Sequence, residues 1–450
     1  MRHNTLTSKV KRAPTWLCAV LVLLADTSAF AGLPIQSWTA KSGARVLFVE
    51  ARTIPMIDVN LDLDAGSRYD PPGKSGLAAM TQGLLALGAG GLSEQQIADR
   101  LADTGAQRGG RIDLDRAGLS MRTLSSAGER EAAIATLASM AGAPAFSAEV
   151  LGREKARRVS AIGEEDTKPA IIADRAFDLA LYGDHPYGRN QSAASIDAIT
   201  RDDVAAFHAA NYAARRAVVT IIGDLARAEA EDIAERITAR LPAGSPPPPL
   251  PAVPPARASE TRLPHPATQS HIMIGGAVLK RADPDYFPLL VGNYILGGGG
   301  FVSRLMSEVR EKRGLAYSVY SYFTPLAQEG PFLAGMQTRK EQSAEAVALV
   351  RRMIAEYVLQ GPTAKELKAA KDNLVDGFAL RIDNNRKILD NVAAIGWYGL
   401  PLDYLDTWTT RVARVSVADV KAALTRRLKP EQFAVVVVGA PEQGPGVAPR

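Results

Sequence analysis

Residues 296–322, LGGGGFVSRLMSEVREKRGLAYSVYSY, decide how the chain is read. Gly297, Gly298, Gly299 and Gly300 end an apolar run, and Ser303 then opens a stretch in which Leu305, Met306 and Val309 recur among charged residues. Serine suits a helix N-cap because its hydroxyl accepts from a free N–H of the first turn. Gly314 supplies the left-handed stop that closes such a helix, and Tyr317 opens a strand in which Val319 stands between aromatic residues. The stretch therefore predicts a glycine turn, a capped helix and a strand. A phosphate-cradling loop is excluded, because Phe301, Val302 and Ser303 stand where Gly-Lys-Ser/Thr would be required.

The same order occurs earlier in the chain. A strand-like run at 56–61 leads to an apolar helical stretch at 77–87, a glycine turn at 88–91, and a helix opened by Ser93 that ends near Gly105. Gln96, three residues after Ser93, completes a capping box. The later copy has a strand at 271–274 and a helical stretch at 286–296 before its glycine turn. Each copy then has a long charged helix and closes on a β-branched strand, AVVTIIGD at 217–224 and FAVVVVG at 433–439. Between the copies, residues 242–256 (PAGSPPPPLPAVPPA) hold eight prolines, a composition that favours extended, semi-rigid chain. The expected fold class is α+β: two homologous α/β-sandwich halves, each a mixed or antiparallel sheet with helices on one face. The expected division is 1–31, 32–240, a Pro-rich linker at 241–259, and 260–450.

Residues 1–31 read as an export signal. Arg2, Lys9, Lys11 and Arg12 precede the apolar run WLCAVLVLLA at 16–25, and Ala29-Phe30-Ala31 fits a cleavage site. That run is too short to span a bilayer. The segment holds four basic residues and one acid, so its removal after about Ala31 takes the net charge of +5 down to +2. Such a balance points to no nucleic-acid partner. Cys18, the only cysteine, lies in the signal, which leaves no disulfide, thiolate nucleophile or cysteine metal site in the exported chain. A composition of 46% hydrophobic and 22% charged residues is that of a globular protein.

The repeated halves, and above all residues 296–322, resemble the pitrilysin–insulinase family of metallopeptidases. Further similar stretches are Gly76-Leu77-Ala78, Asp184-His185-Pro186-Tyr187-Gly188 and Asn211-Tyr212. The family holds zinc through an inverted H-x-x-E-H motif. Histidines at i and i+4 share one helical face and reach one metal, and the intervening Glu takes a proton from the bound water. A later Glu is the third ligand. Here the first His position is Ala79, the Glu position is Gln82 and the second His position is Gly83. The third ligand aligns at Ala161, with Glu164 and Glu165 close enough for a slip. Methyl and glycyl groups donate no electron pair, and an amide is a poor base. His185, His208, His265 and His271 offer no i,i+4 pair.

What survives lies in the second half. The resemblance implies that Arg310 and Tyr317 face the zinc of the closed chamber and hydrogen-bond the substrate carbonyl, steadying the oxyanion. On pattern alone Arg310 is one of several helix charges and Tyr317 an ordinary strand aromatic. The four glycines have two readings: a chamber-lining loop that touches substrate, or a hinge turn before a capped helix. The strand side of Arg111, Arg116 and Arg122 is left open by the pattern.

Two functions follow. In the first, this chain is half of a two-chain clamshell. It is inactive alone and needs no cofactor of its own; a zinc-bearing subunit completes the site, and unfolded peptides are held along a sheet edge in the periplasm. In the second, it is a homodimeric pseudopeptidase that captures peptides or proteins without cleaving them. A lone zinc peptidase is disfavoured because three ligands are not visible.

Overall fold

The computed structural model describes residues 33–439 apart from 245, 246 and 248, so the export-signal reading of residues 1–31 lies outside the described residues. The first sheet comprises β1 (Gln36–Thr39), β2 (Arg45–Glu50), β3 (Met56–Leu63), β4 (Gln107–Ile112), β5 (Ala117–Leu124) and β6 (Val218–Gly223), in the order β1-β2-β6-β3-β5-β4. The second comprises β7 (Ser259–Leu263), β8 (Gln269–Leu279), β9 (Ala316–Phe323), β10 (Gly330–Arg339) and β11 (Ala434–Val438), in the order β7-β11-β8-β10-β9. Without β1 the two orders correspond strand for strand. Each sheet has a single parallel pair, β2 with β6 and β7 with β11, among antiparallel neighbours. The α+β expectation of two similar halves is met at the level of topology.

Each sheet is backed by helices of its own half: Ala127–Gly142 and Arg227–Thr238 on the first, Ser343–Gln360 on the second. The opposite face is covered by a helix from the other half. Pro169–Tyr182 packs on β8 and β11, and Asn385–Tyr398 packs on β2, β3 and β6. Phe177 and Ala173 of the first exchanged helix are buried with Met273, Leu333 and Val436 of the second sheet; burial of a phenylalanine of this kind contributes about 2 kcal/mol. Leu389, Val392 and Ile395 of the second exchanged helix share a core with Leu47, Val49, Val218 and Ile222. Gly396 permits the contact: a Cβ there would lie 2.6 Å from Leu47 Cδ1 and 2.7 Å from Val218 Cγ1.

This exchange explains β3. Its sequence, MIDVNLDL, alternates as a half-exposed strand should, yet every residue from Ile57 to Leu63 is buried. Asp58, Asn60 and Asp62 pair across with Ile222, Thr220 and Val218, which places them on the face that the exchanged helix covers.

The Pro-rich segment is docked rather than a free spacer. Leu250 and Val253 pack against buried Tyr182 and Tyr187, and Pro251 O accepts from His185 Nε2 at 3.0 Å. Because the Tyr187 N–H donates to His185 Nδ1 at 3.1 Å, Nε2 must carry the ring proton. Among the described residues no helix is long and apolar enough to cross a membrane.

Candidate functional site

Asp70 anchors the start of the Leu77–Leu84 helix, its carboxylate accepting from the N–H groups of Gly76 at 2.6 Å and Ala78 at 2.7 Å. Burial pushes this carboxyl up to about 6, against the pull of the two hydrogen bonds and Arg189. The helix buries Leu77, Ala78, Met80, Thr81 and Leu84 and leaves Ala79, Gln82 and Gly83 less covered. The helix Ala148–Glu165 packs against it. Ala79, Gly83 and Ala161 are thereby brought around one cavity of about 250 Å³, together with Met80, Leu84 and Glu154. Glu165, one of the two alternative third positions, is engaged elsewhere, by Arg158 and Arg175, and neither it nor Glu164 lines the cavity.

These residues do not fit a zinc ion. The three positions that meet at the cavity offer only methyl groups and a hydrogen, where zinc needs several nitrogen, oxygen or sulfur donors. Glu154 accepts from Arg153 at 2.9 Å and Arg157 at 3.1 Å. Among the described residues no three His, Cys, Asp or Glu side chains are grouped so as to hold a metal. Gln82 does not line the cavity. Its amide Nε2 donates to the Gly118 carbonyl of β5 at 3.3 Å, in space left by Gly110 of β4, where a Cβ would approach that nitrogen to 2.4 Å. A carboxylate in the same position would face a carbonyl oxygen with nothing to donate.

Among the described residues, His185, His208 and His265 are each bonded to a main-chain carbonyl. His208 Nε2 bonds the Ala141 carbonyl at 2.8 Å and its ring stacks on Tyr212 at 4.6 Å; burial holds its pKa below the ordinary value. His265 Nε2 bonds the Thr167 carbonyl at 3.0 Å, and burial lowers His271 as well.

The second half presents the opposite picture. Ser303 caps the next helix as expected, its Oγ accepting from Met306 N at 3.4 Å. The turns that follow, Met306–Lys312, are wound as a π-helix, where the pattern predicts a regular one; such wide turns recur at functional sites. Arg310 lies on them, its guanidinium 4.7 Å from the ring centre of Tyr317 and 4.9 Å from that of Phe301. Lys312 and Arg313 pair with Glu308; Arg310 makes no ion pair among the described residues. Tyr317 is 78% exposed and Phe301 64% exposed, so both rings and the cation between them are open to a ligand. The structure thus brings the two predicted residues together, Arg310 from the helix and Tyr317 from the outer strand β9.

Three of the four glycines lie where a Cβ would collide, and the fourth, Gly300, is exposed with a left-handed backbone. Gly297 is buried under β9, where a Cβ would lie 2.5 Å from Ser321 N. Gly298 and Gly299 lie against Asn293 and Tyr294, and Gly300 has φ of +61°. Asn293 and Ser321 lock this turn to the strand through bonds of 3.0 and 2.7 Å. Gly297 is thus covered by β9, while Gly298 and Gly300 are the exposed members of the turn.

Several polar groups carry no sequence signal that would have paired them. Arg122 holds Asp58 through bonds of 2.8 and 3.0 Å. Asp62 faces Arg116 at 3.3 Å and Arg111 at 3.7 Å, and Arg111 also reaches Asp390 of the exchanged helix at 3.3 Å. Burial nevertheless raises the Asp62 pKa, with the two arginines opposing it. On the matching face of the second sheet, Tyr320 and Tyr322 of β9 stack 5.7 Å apart, and burial, aided by Tyr320 and by Asp174 and Asp178 of the exchanged helix, raises the pKa of Tyr322.

Comparison with known proteins agrees with this frame. Residues 198–374 match the family model described as the peptidase M16 inactive domain. An uncharacterized zinc protease of Mycobacterium leprae is 30% identical over 50% of this chain, which spans about half (52%) of that relative's length. The non-peptidase homolog YmxG of Helicobacter pylori is 26% identical over 83% of this chain and 87% of its own. Among solved structures, a peptidase M16 inactive domain from Pseudomonas fluorescens superposes with a TM-score of 0.87 at 38% identity, covering 91% of this chain and 98% of that one. A protease from Helicobacter pylori gives 0.81 at 20% identity, covering 90% and 99%. With a relative of 38% identity matched over nearly its whole length, and with no donor at the metal-ligand positions, the chain belongs to the peptidase M16 family, the pitrilysin–insulinase group, as a non-catalytic type of member.

Proposed function

We propose that this chain is the zinc-less subunit of a two-chain peptidase, supplying the wall that faces a zinc-bearing partner and binding unfolded peptides between the two. Its halves, residues 32–240 and 260–450, are joined by the linker at 241–259. Arg310 and Tyr317 are the residues it contributes to the partner's reaction. The guanidinium and the phenol donate hydrogen bonds to the scissile carbonyl and to the oxyanion that forms from it, where preorganised donors are worth most. Extended substrate runs along an open sheet edge, whose unpaired N–H and C=O groups provide main-chain hydrogen bonds. The observation that carries this reading is the unpaired Arg310, held between Phe301 and the exposed Tyr317 in a chain whose own metal positions are empty of donors.

The site of action is the periplasm, reached through residues 1–31. This location rests on the basic, apolar and small-residue order of that segment. A periplasmic protease of Escherichia coli, PqqL, has a similar fold at a TM-score of 0.77 and 16% identity.

The test is reconstitution. The purified chain is mixed with a zinc-bearing M16 chain from the same source and an unfolded peptide. Hydrolysis is expected in the mixture and from neither chain alone, with loss on Arg310→Ala or Tyr317→Phe. Full hydrolysis by the zinc chain alone would falsify the subunit role. Peptide capture by a homodimer of this chain, with no cleavage in any mixture, would instead establish the scaffold reading.

A further inference from the structure

We propose that the crevice between the two halves binds a small organic oxyanion, a carboxylate or a phosphate ester, with Arg281 as its principal anchor. A cavity of about 430 Å³ opens there, walled by Arg68 and Arg216 from the first half and by Lys280, Arg281, Trp397 and Tyr398 from the second. Its single lining carboxylate, Asp64, is already taken: it accepts from Arg68 at 2.6 Å, Arg216 at 3.1 Å and the Tyr69 hydroxyl at 3.0 Å. Arg68 is also held by Asp115 at 2.7 Å and Lys280 by Glu329 at 3.2 Å, which leaves Arg281 as the lining cation with no carboxylate partner among the described residues.

The Arg281 guanidinium lies 4.3 Å from the ring centre of Tyr286 and 5.3 Å from that of Tyr404, and donates one hydrogen bond, to Tyr404 OH at 3.2 Å. It makes no ion pair among the described residues. The acids that follow it in sequence are engaged elsewhere, Asp283 by Arg427 and Asp285 by Arg426 and Arg427. A guanidinium has five N–H donors in a planar fork that matches a carboxylate or phosphate. Tyrosines on its faces fix the fork without neutralising it. Lys280, 43% exposed and 3.2 Å from Glu329, can turn to the same anion. Trp397 and Tyr398 give the cavity an aromatic wall, and its size exceeds what a bare inorganic ion fills, which is why an organic body is assigned to the ligand. Such a ligand bridges both halves. Nothing in this proposal depends on Arg310, Tyr317 or a partner chain.

The experiment titrates the purified full chain at low salt with phenyl phosphate, benzoate and inorganic phosphate, following tryptophan fluorescence (Trp397 lines the cavity) and Tm. Saturable binding of an aryl anion is expected, about tenfold tighter than inorganic phosphate, with a rise in Tm. Preference for phenyl phosphate identifies a phosphate ester as the ligand class, and preference for benzoate a carboxylate. Arg281→Gln is expected to weaken binding at least about tenfold, while Arg52→Gln, a distant surface control, leaves it unchanged. If Arg281→Gln does not fold, Arg281→Lys, which retains charge but loses the fork, is expected to bind several-fold more weakly. Absence of saturable binding by either aryl anion, or equal affinity in the folded Arg281 variant, overturns the proposal.

Discussion

The outer strands β4 and β9 occupy the same place in their two sheets, and the residues beside them have diverged in opposite directions. Around the cavity beside β4, the polar side chains are held within the chain, Arg158 by Gln191 and Glu165. Gln82 donates to Gly118 O, and Glu154 is held by Arg153 and Arg157. The cavity where Ala79, Gly83 and Ala161 meet is lined mainly by carbon. Next to β9, a guanidinium stands without a counter-ion between two exposed rings. The two rings hold the guanidinium by cation–π attraction without neutralising its charge. The difference teaches that the first region is closed on itself, whereas the second leaves a cation without a counter-ion, which is the feature the proposed function uses.

The largest change that can be made to this contrast is to rebuild the first region. Ala79→His, Gly83→His and Ala161→Glu together place three donors around one cavity, and a Cβ at Gly83 meets no atom within 4 Å. The triple variant is expected to retain one zinc per chain through dialysis, measured by elemental analysis, and the unaltered chain none. A triple variant that folds and holds no metal would show that the cavity is not the remnant of a metal site.

The next effect falls on the second region. In the reconstituted mixture, Arg310→Ala is expected to lower kcat by about 10²–10³-fold, the usual loss when one oxyanion donor is removed. Tyr317→Phe removes the hydroxyl but leaves the ring under Arg310, so a smaller loss is expected. Because neither side chain is buried, the Tm of the isolated chain should stay within about 1 °C of wild type. A Tm that falls sharply with Arg310→Ala would return this residue to the structural class.

Much of this was legible beforehand, for reasons that can be named. The capping box of Ser93 and Gln96 is local, and it forms with bonds of 2.9 and 3.2 Å. The β-branched run at 434–438 is fully buried, as such a run demands. The loss of donors at 79, 82 and 83 is a matter of residue identity. The exchange of helices was not legible, because the amphipathic pattern of 169–182 or 385–398 shows that each has a buried face but not which sheet receives it. For the same reason Arg111, Arg116 and Arg122 could not be placed: their partners Asp62, Asp58 and Asp390 are set by strand register and by a helix from the other half. The docking of the Pro-rich segment depends on His185, Tyr182 and Tyr187, far from it in sequence.

A smaller perturbation tests whether Gln82 now serves only structure. Gln82→Glu replaces a donor facing the Gly118 carbonyl with an acceptor in a half-buried position. The expected cost is about 1–3 kcal/mol, read as a lower denaturant midpoint with unchanged slope. An unchanged midpoint would mean that the side chain can leave β5 at no cost, and that the first region is less committed to packing than its geometry implies.

The smallest expected effect concerns the two faces that receive exchanged helices. On the first sheet the carboxylates face arginines, as in Asp58 with Arg122. On the second, Asp178 makes no ion pair among the described residues, and burial together with the Asp174 carboxylate pushes it up to about 7. A carboxyl whose pKa rises on folding binds more protons in the native than in the unfolded state between roughly pH 4 and 7, so stability falls as pH rises through that window and levels off above it. Asp178→Asn removes the charge, so the gain should be absent near pH 4, grow as pH rises to 7 and level off by pH 8. Asp58→Asn, which strands the Arg122 guanidinium, should destabilise at every pH in that range. If both variants moved stability in the same direction at pH 8, the two faces would be electrostatically alike, and the contrast between a paired face on the first sheet and an unpaired face on the second would fall.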